Sequence, residues 1–329
     1  MDVTVEQSQP TTESILARKH TDSEASEESL TALREALQHF CPKELRGKAW
    51  KLLLRVNRVS ASTYISLVEK GSSSLDDKIR QDTFRTMTTD TNFIEHVSED
   101  MLVRLLNAFV WNKEGNNGNE ELDTVTYVQG MNILAAPFLM TMPEMEAFFS
   151  FSILVRKWCP LYVHPTMKGV HCGLKLLDIC LLQLDPVLYG FLYGKNITAR
   201  TYAFASVMTL SACTPPSSEL LYLWDFMFSY GLHLNILFII AQLALIRTEL
   251  LHSDHPANLL RVLPPLRARK IVHLTKSLCK KISDDLYDKL VRHTYDESVA
   301  EELGILSSTT NEQKDGIEEL PDFMKDDNE

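Results

Sequence analysis

The chain has 329 residues, 45% apolar and 23% charged, enough for one large or two ordinary globular domains with a full core. Twelve glycines and thirteen prolines argue against a fibrous or low-complexity chain, and a formal net charge of −11 argues against nucleic-acid binding, because so acidic a surface repels phosphate backbones.

In chain order, residues 1–29 are rich in Ser, Thr, Glu and Gln, lack the apolar run of a signal peptide, and are expected to be disordered. Residues 30–306 are expected to form one all-α, helical domain, in one body or two lobes. Apolar residues at three- and four-residue spacing predict helices at 30–38, 47–54, 75–86, 101–111, 144–157, 174–183, 198–211, 219–228, 235–251 and 266–282. Convincing period-2 strands with hairpin turns are absent. Pro160, Pro165, Pro186, Pro215, Pro216, Pro256, Pro264 and Pro265 mark the breaks. Ser74 with Asp77, Thr126 with Gln129, and Thr141 with Glu144 have cap-box spacing and predict three helix starts, with a flexible loop at 112–121 ahead of the second.

The most apolar stretch, 232–246, contains His233, Asn235 and Gln242 and stops at Arg247. It is shorter than a membrane span and is expected to be a buried core helix, so no membrane insertion is expected and the compartment is cytosol or nucleus. Arg267, Arg269, Lys270, Lys280 and Lys281 read as a solvated helix face. The acidic tail, 307–329, is expected to be disordered; its 320–324 patch fits either a weak partner motif or a plain tail.

Six cysteines lie far apart without a C-x-x-C pair, the pattern of free thiols in a reducing compartment. His171 and Cys172 have no second ligand pair at zinc-finger spacing, so no metal site is expected. Phosphate-cradling loops, a nucleophile elbow and H-E-x-x-H are all missing, and His164, His171, His233, His252, His255 and His273 form no ligand spacing. A self-contained hydrolase is not indicated.

Two constellations remain. Ile79, Asp82 and Arg85 are three apart and would share one helix face, with Ile79 in the core and Asp82 able to hold a guanidinium. The same spacing fits a surface ion pair worth about 0.2–0.5 kcal/mol. Tyr127, Gln129 and Gly130 open an apolar helix, placing Gln129 in its first turn. Its amide can donate to a phosphoryl oxygen and accept from water, or it can simply bond back to Thr126 as a cap. Gly130 leaves room for close approach, and Asn132 fits either polar packing or support of a site.

Taken with their flanks, these residues resemble the TBC domain family, helical activators of Rab-type small GTPases. The family's I-x-x-D-x-x-R and Y-x-Q-G motifs stand as Ile79, Asp82, Arg85 and Tyr127, Gln129, Gly130. Arg46, Gly47 and Trp50 match an upstream Arg-Gly with a following Trp. Leu223, Trp224, Asp225, Phe228 and Gly231 look like the L-W-D-x-x-x-x-x-G segment. The resemblance covers about residues 40–290, and the run 202–216 resembles the fungal branch serving mitotic exit, septation initiation and the spindle checkpoint.

The resemblance implies a GTPase-activating protein that supplies Arg85 and Gln129 in trans. Asp82 and Tyr127, with Ile79 and Gly130, would support these fingers; Arg46 and Asp225 would be framework or partner-orienting, and Trp50 and Trp224 core anchors. It implies no cofactor of the chain's own, since GTP and Mg belong to the substrate GTPase. The implied partners are a small Ras/Rab-like GTPase controlling mitotic exit, cytokinesis and septation, and a dedicated scaffold-like protein that assists activation. The implied location is cytoplasm and spindle pole body. Two other readings stay open: a non-catalytic scaffold recruiting the same GTPase, and an activator for a vesicle-traffic Rab.

Overall fold

The structure, a computed structural model, describes residues 13, 27–37, 41–86, 90–114 and 126–305. Among these the ordered elements are helices, and no strand occurs. The disorder expected for 1–29 and 307–329, and the 320–324 patch, fall outside the described residues, apart from Glu13 and the first turn of the first helix. The chain divides into two compact units, Met1–Lys157 with Ser217–Gly231, and Trp158–Pro216 with Leu232–Glu329.

The first unit comprises α1 (Glu27–Leu37), α2 (Lys43–Leu53), α3 (Ala61–Val68), α4 (Asp76–Thr83), α5 (Thr91–His96), α6 (Glu99–Glu114), α7 (Met131–Leu139) and α8 (Glu144–Ile153). A π-type turn, Leu154–Trp158, follows α8. Helix α6 packs against α3, α4, α7 and α8, so Leu102, Val103, Leu105, Leu106 and Phe109 on it are buried. The chain returns to this unit later as α13 (Ser217–Tyr230), which lies on α1 and α2.

Trp50 and Trp224 are both fully buried, with ring centroids 5.6 Å apart. Phe138 lies 5.6 Å from each and Phe228 lies 5.1 Å from Trp50, so the two tryptophans do anchor this core. Gly47 is needed where α2 meets the turn after α7. A Cβ there would sit 2.7 Å from the Thr141 carbonyl oxygen and 2.9 Å from Met142 Cβ.

The second unit comprises α9 (Lys168–Leu184), α10 (Pro186–Tyr193), α11 (Ala199–Tyr202), α12 (Phe204–Met208), α14 (Leu234–Leu245), α15 (Arg247–His252), α16 (Pro256–Leu260), α17 (Ala268–Cys279), α18 (Asp284–Arg292) and α19 (Ser298–Glu302). Helix α14 is the core helix expected from its apolar run; Leu234 to Leu243 are all buried, and α9 and α17 pack on it. Its Asn235 accepts from Ser211 Oγ at 2.6 Å and donates to the Ser206 carbonyl at 3.0 Å, which satisfies the amide inside the core. None of the described helices is long and apolar enough to cross a membrane.

Burial pushes both His233 and His293 down to about 4, with the two rings reinforcing each other at His233. His293 Nδ1 donates to the Leu290 carbonyl, so its Nε2 accepts from Tyr162 Oη at 2.8 Å. The unfolded chain would take up these protons near pH 6.5, whereas the folded chain resists until about pH 4. The stability these rings contribute is therefore complete above pH 6.5 and is lost as pH falls toward 4. A histidine NMR titration is expected to find both rings neutral at pH 5; titration of either near 6.5 in the folded protein would contradict that burial.

Several local expectations are corrected. The predicted 198–211 helix is two short ones broken at Ala203, and Leu210 and Ser211 take positive φ. The predicted 235–251 helix breaks at Ile246. None of the three cap boxes forms. The residue before α4 is Leu75, with no side-chain cap, and Ser73 rather than Ser74 bonds the local backbone. Thr141 Oγ1 turns back to the Pro137 carbonyl and Pro143 precedes α8, while Glu144 binds Tyr64 and Arg104. Residues 112–114 of the expected loop belong to α6, and 115–121 lie outside the described residues.

Candidate functional site

Helix α4 is short and polar, and three buried residues seat it: Ile79, fully buried, with Asp82 and Thr83. The helix ends at Thr83 with Phe84 as its C-cap, and a tighter bond from Thr86 N to the Thr83 carbonyl closes the last turn. Arg85 therefore stands one residue beyond the cap, exposed. Of Ile79, Asp82 and Arg85, expected on a single face, the first two are buried and Arg85, beyond the helix end, is exposed.

On the other segment Tyr127 is buried and Gln129 half-buried. Helix α7 begins at Met131, and Gly130 precedes it with φ 97°, in the left-handed region. Gln129 thus lies in the turn ahead of α7 rather than in its first turn, and Thr126 is not the cap. The role of Gly130 is conformational: a Cβ at that φ is strained. Gly130→Ala is expected to lower stability by about 1–2 kcal/mol, measurable as a reduced urea midpoint; an unchanged midpoint would show that the turn relaxes freely.

The two segments are tied together by side chains. Tyr127 Oη donates to Asp82 Oδ2 at 2.7 Å. Asn132 Nδ2 donates to the Asp82 carbonyl at 3.0 Å and to Thr86 Oγ1 at 2.8 Å. Asn132 Oδ1 accepts the Gly130 amide at 3.0 Å, and Thr86 Oγ1 donates to the Asp82 carbonyl at 3.0 Å. The turn carrying Arg85 and the turn carrying Gln129 are each one residue from a group bonded to the same carboxamide. Asn132 was ambiguous in the sequence and Thr86 carried no local signal at all; its partner is 46 residues away.

Burial raises the Asp82 carboxyl above its ordinary value, opposed by the Tyr127 bond and by the charges of Lys78 and Arg85. Burial, reinforced by the Asp82 charge, pushes the Tyr127 phenol well up, so it stays protonated and donates. Asp82 directs its carboxylate to Tyr127 and feels Arg85 as a positive field.

Arg46 and Asp225 lie elsewhere in the first unit. Arg46 grips Asp225 through Nε at 2.9 Å and Nη2 at 3.0 Å, and Trp50 Nε1 donates to Asp225 Oδ1 at 2.8 Å. Asp225 is 1% exposed; burial pushes its carboxyl up to about 6 against the pull of Arg46 and Trp50. This fork joins α2 to α13 inside the unit. All six cysteines are free, and no cluster of three or more His, Cys, Asp or Glu that could hold a metal occurs among the described residues.

What remains accessible is an exposed guanidinium and a half-buried carboxamide on two coupled turns. A guanidinium only donates, while an amide donates and accepts, so together they can bind anionic oxygen and orient a water.

Residues 43–251 match the Rab-GTPase-TBC domain family. The chain is 45% identical over 262 residues to cell division control protein 16 of Schizosaccharomyces pombe, covering 79% of this chain and 83% of that protein. It is 39% identical over 261 residues to mitotic check point protein BUB2 of Saccharomyces cerevisiae, covering 77% of this chain and 85% of that one. The crystal structure of the Ypt/Rab-GAP domain of Gyp1p superposes with a TM-score of 0.62 at 16% identity, over 76% of this chain and 92% of that chain, a likeness of fold.

Proposed function

The chain belongs to the Rab-GTPase-TBC domain family, and on that premise we propose that Arg85 and Gln129 are the two groups it inserts into the nucleotide site of a small GTPase. The observation that carries this reading is the coupling of their turns through Asp82, Tyr127 and Asn132, which sets a guanidinium and an amide on neighbouring loops of one unit.

A GTPase alone stabilises the transition state of phosphoryl transfer incompletely. Arg85 neutralises the charge that develops on the transferring group and the leaving bridge, its planar fork meeting two oxygens at once. Gln129 orients the attacking water and donates to the terminal phosphate. GTP and Mg are the GTPase's own; this chain brings neither. Asp82 and Tyr127 hold the two turns, and the Arg46–Asp225–Trp50 fork is framework.

Two relatives are named for cell division control and a mitotic check point. With the fungal character of the run 202–216, they support a GTPase of mitotic exit, cytokinesis and septation as substrate. The proposal extends to a dedicated scaffold-like partner at the spindle pole body, which would position the GTPase and add orientation rather than chemistry.

The test is single-turnover GTP hydrolysis across a panel of purified GTPases, each with and without the partner. Acceleration of the cell-cycle GTPase, larger with the partner, is expected and should be lost in Gln129→Ala. Preference for a vesicle-traffic Rab would overturn the substrate assignment, and binding without acceleration of any GTPase would make the protein a scaffold.

A further inference from the structure

We propose that Asn132 and Thr86 are positioning residues that fix where Arg85 and Gln129 stand relative to each other; this rests on the reading of those two as the inserted groups. Both residues are buried, at 5% and 4% exposure, so neither is available to touch a docked GTPase. Their polar groups are spent on one another and on the two turns.

The Asn132 carboxamide divides its work by chemistry. Its oxygen takes the amide of Gly130, next to Gln129, and its nitrogen donates across the chain to the Asp82 carbonyl and to Thr86 Oγ1, next to Arg85. The amide supplies two N–H donors and an acceptor oxygen at that position; a hydroxyl has a single donor, a carboxylate cannot donate, and a leucine can do neither. Thr86 completes the link, because one hydroxyl donates to the Asp82 carbonyl within its own turn and accepts from Asn132. Among the described residues, the backbone closes that turn through Phe84 N to the Arg80 carbonyl at 3.0 Å and Thr86 N to the Thr83 carbonyl at 2.9 Å.

The physical consequence is specific. Loosening this link leaves the core of the unit in place, since Ile79, Tyr127 and Met131 remain buried. It lets the two turns move independently, and displacement of a catalytic group by about 1 Å can cost about 10²-fold in rate. The loss should appear in the maximal rate, where alignment counts, and hardly in the concentration that half-saturates the GTPase.

The experiment compares wild type with Thr86→Val, which keeps the shape and removes the hydroxyl, and with Thr86→Ser, which keeps the hydroxyl. Thr86→Val is expected to lower the maximal single-turnover rate about 10- to 100-fold at nearly constant half-saturation, and Thr86→Ser to recover most of it. In the same full chain without GTPase, amide hydrogen exchange in Thr86→Val is expected to quicken about tenfold in both turns, 84–86 and 128–130. A wild-type maximal rate in Thr86→Val, or faster exchange in 84–86 alone, would overturn the proposal. If wild type accelerates no GTPase, the proposed function fails, and the exchange comparison still decides whether the two turns are coupled.

Discussion

Arg85→Ala is expected to slow the stimulated GTP hydrolysis about 10³- to 10⁵-fold, equivalent to about 4–7 kcal/mol of transition-state stabilisation. The size follows from where the charge lies: no other group of this chain proposed for the nucleotide site carries a positive charge. The fold should be indifferent to the change. Arg85 is exposed and stands past the last residue of α4, and substitutions at such surface positions usually fall within about 0.5 kcal/mol. Arg85→Lys should recover little, since an ammonium is a point charge and cannot present two parallel donors. Single-turnover kinetics beside a urea melt decides it: a variant that melts early would mark Arg85 as structural, and one that hydrolyses at the wild-type rate would remove it from the site.

Trp50→Ala should do the reverse, costing about 3–5 kcal/mol of stability through the lost burial and the cavity left behind. Trp50 is fully buried against Phe138, Trp224 and Phe228. Its indole also donates to Asp225, so truncation removes one donor from a carboxylate whose other side-chain donor among the described residues is Arg46. In urea, where small proteins lose about 1–3 kcal/mol per molar, the midpoint should fall by more than 1 M. The fraction still folded should activate the GTPase as wild type does. A shift of under about 0.3 M would mean that the aromatic cluster repacks around the gap. Full stability with lost activity would instead place Trp50 in the site.

These two residues also mark what the sequence makes legible and what it hides. Periodicity reaches the all-helical fold because an amphipathic stripe is a local property; in the apolar run that became α14, Leu234 to Leu243 are buried on every side. Helix ends are less legible, because a cap box is satisfied only if tertiary structure leaves its residues at liberty. Glu144 is instead taken by Tyr64 at 2.7 Å and by Arg104 at 2.7 Å. Gly130 takes a left-handed turn, so α7 begins later than the Thr126–Gln129 spacing implies. The breaks at Ala203 and Ile246 sit in stretches whose apolar pattern runs on without interruption.

At the candidate site, spacing alone left Arg85 and Gln129 ambiguous, and it was the resemblance of their motifs and flanks to the TBC family that brought them forward. Neither could reveal the bonds between their turns. Asp82 to Tyr127 spans 45 residues and Asn132 to Thr86 spans 46, and nothing in either local pattern announces the other. The Arg46–Asp225 fork spans 179 residues and is equally silent in the sequence. Thr86 in particular reads as one more polar residue after a helix, and only its position against Asn132 gives it a task.

The central claim is that the guanidinium of Arg85 and the amide of Gln129 act together on one transition state. The direct measurement is the affinity of this chain, with its partner present, for the GTPase loaded with GDP and aluminium fluoride, a mimic of the transferring phosphoryl group, compared with GDP alone. Wild type is predicted to bind the mimic far more tightly, with Arg85→Ala and Gln129→Ala each abolishing the difference. Equal preference for the mimic in wild type and in the double variant would contradict the account.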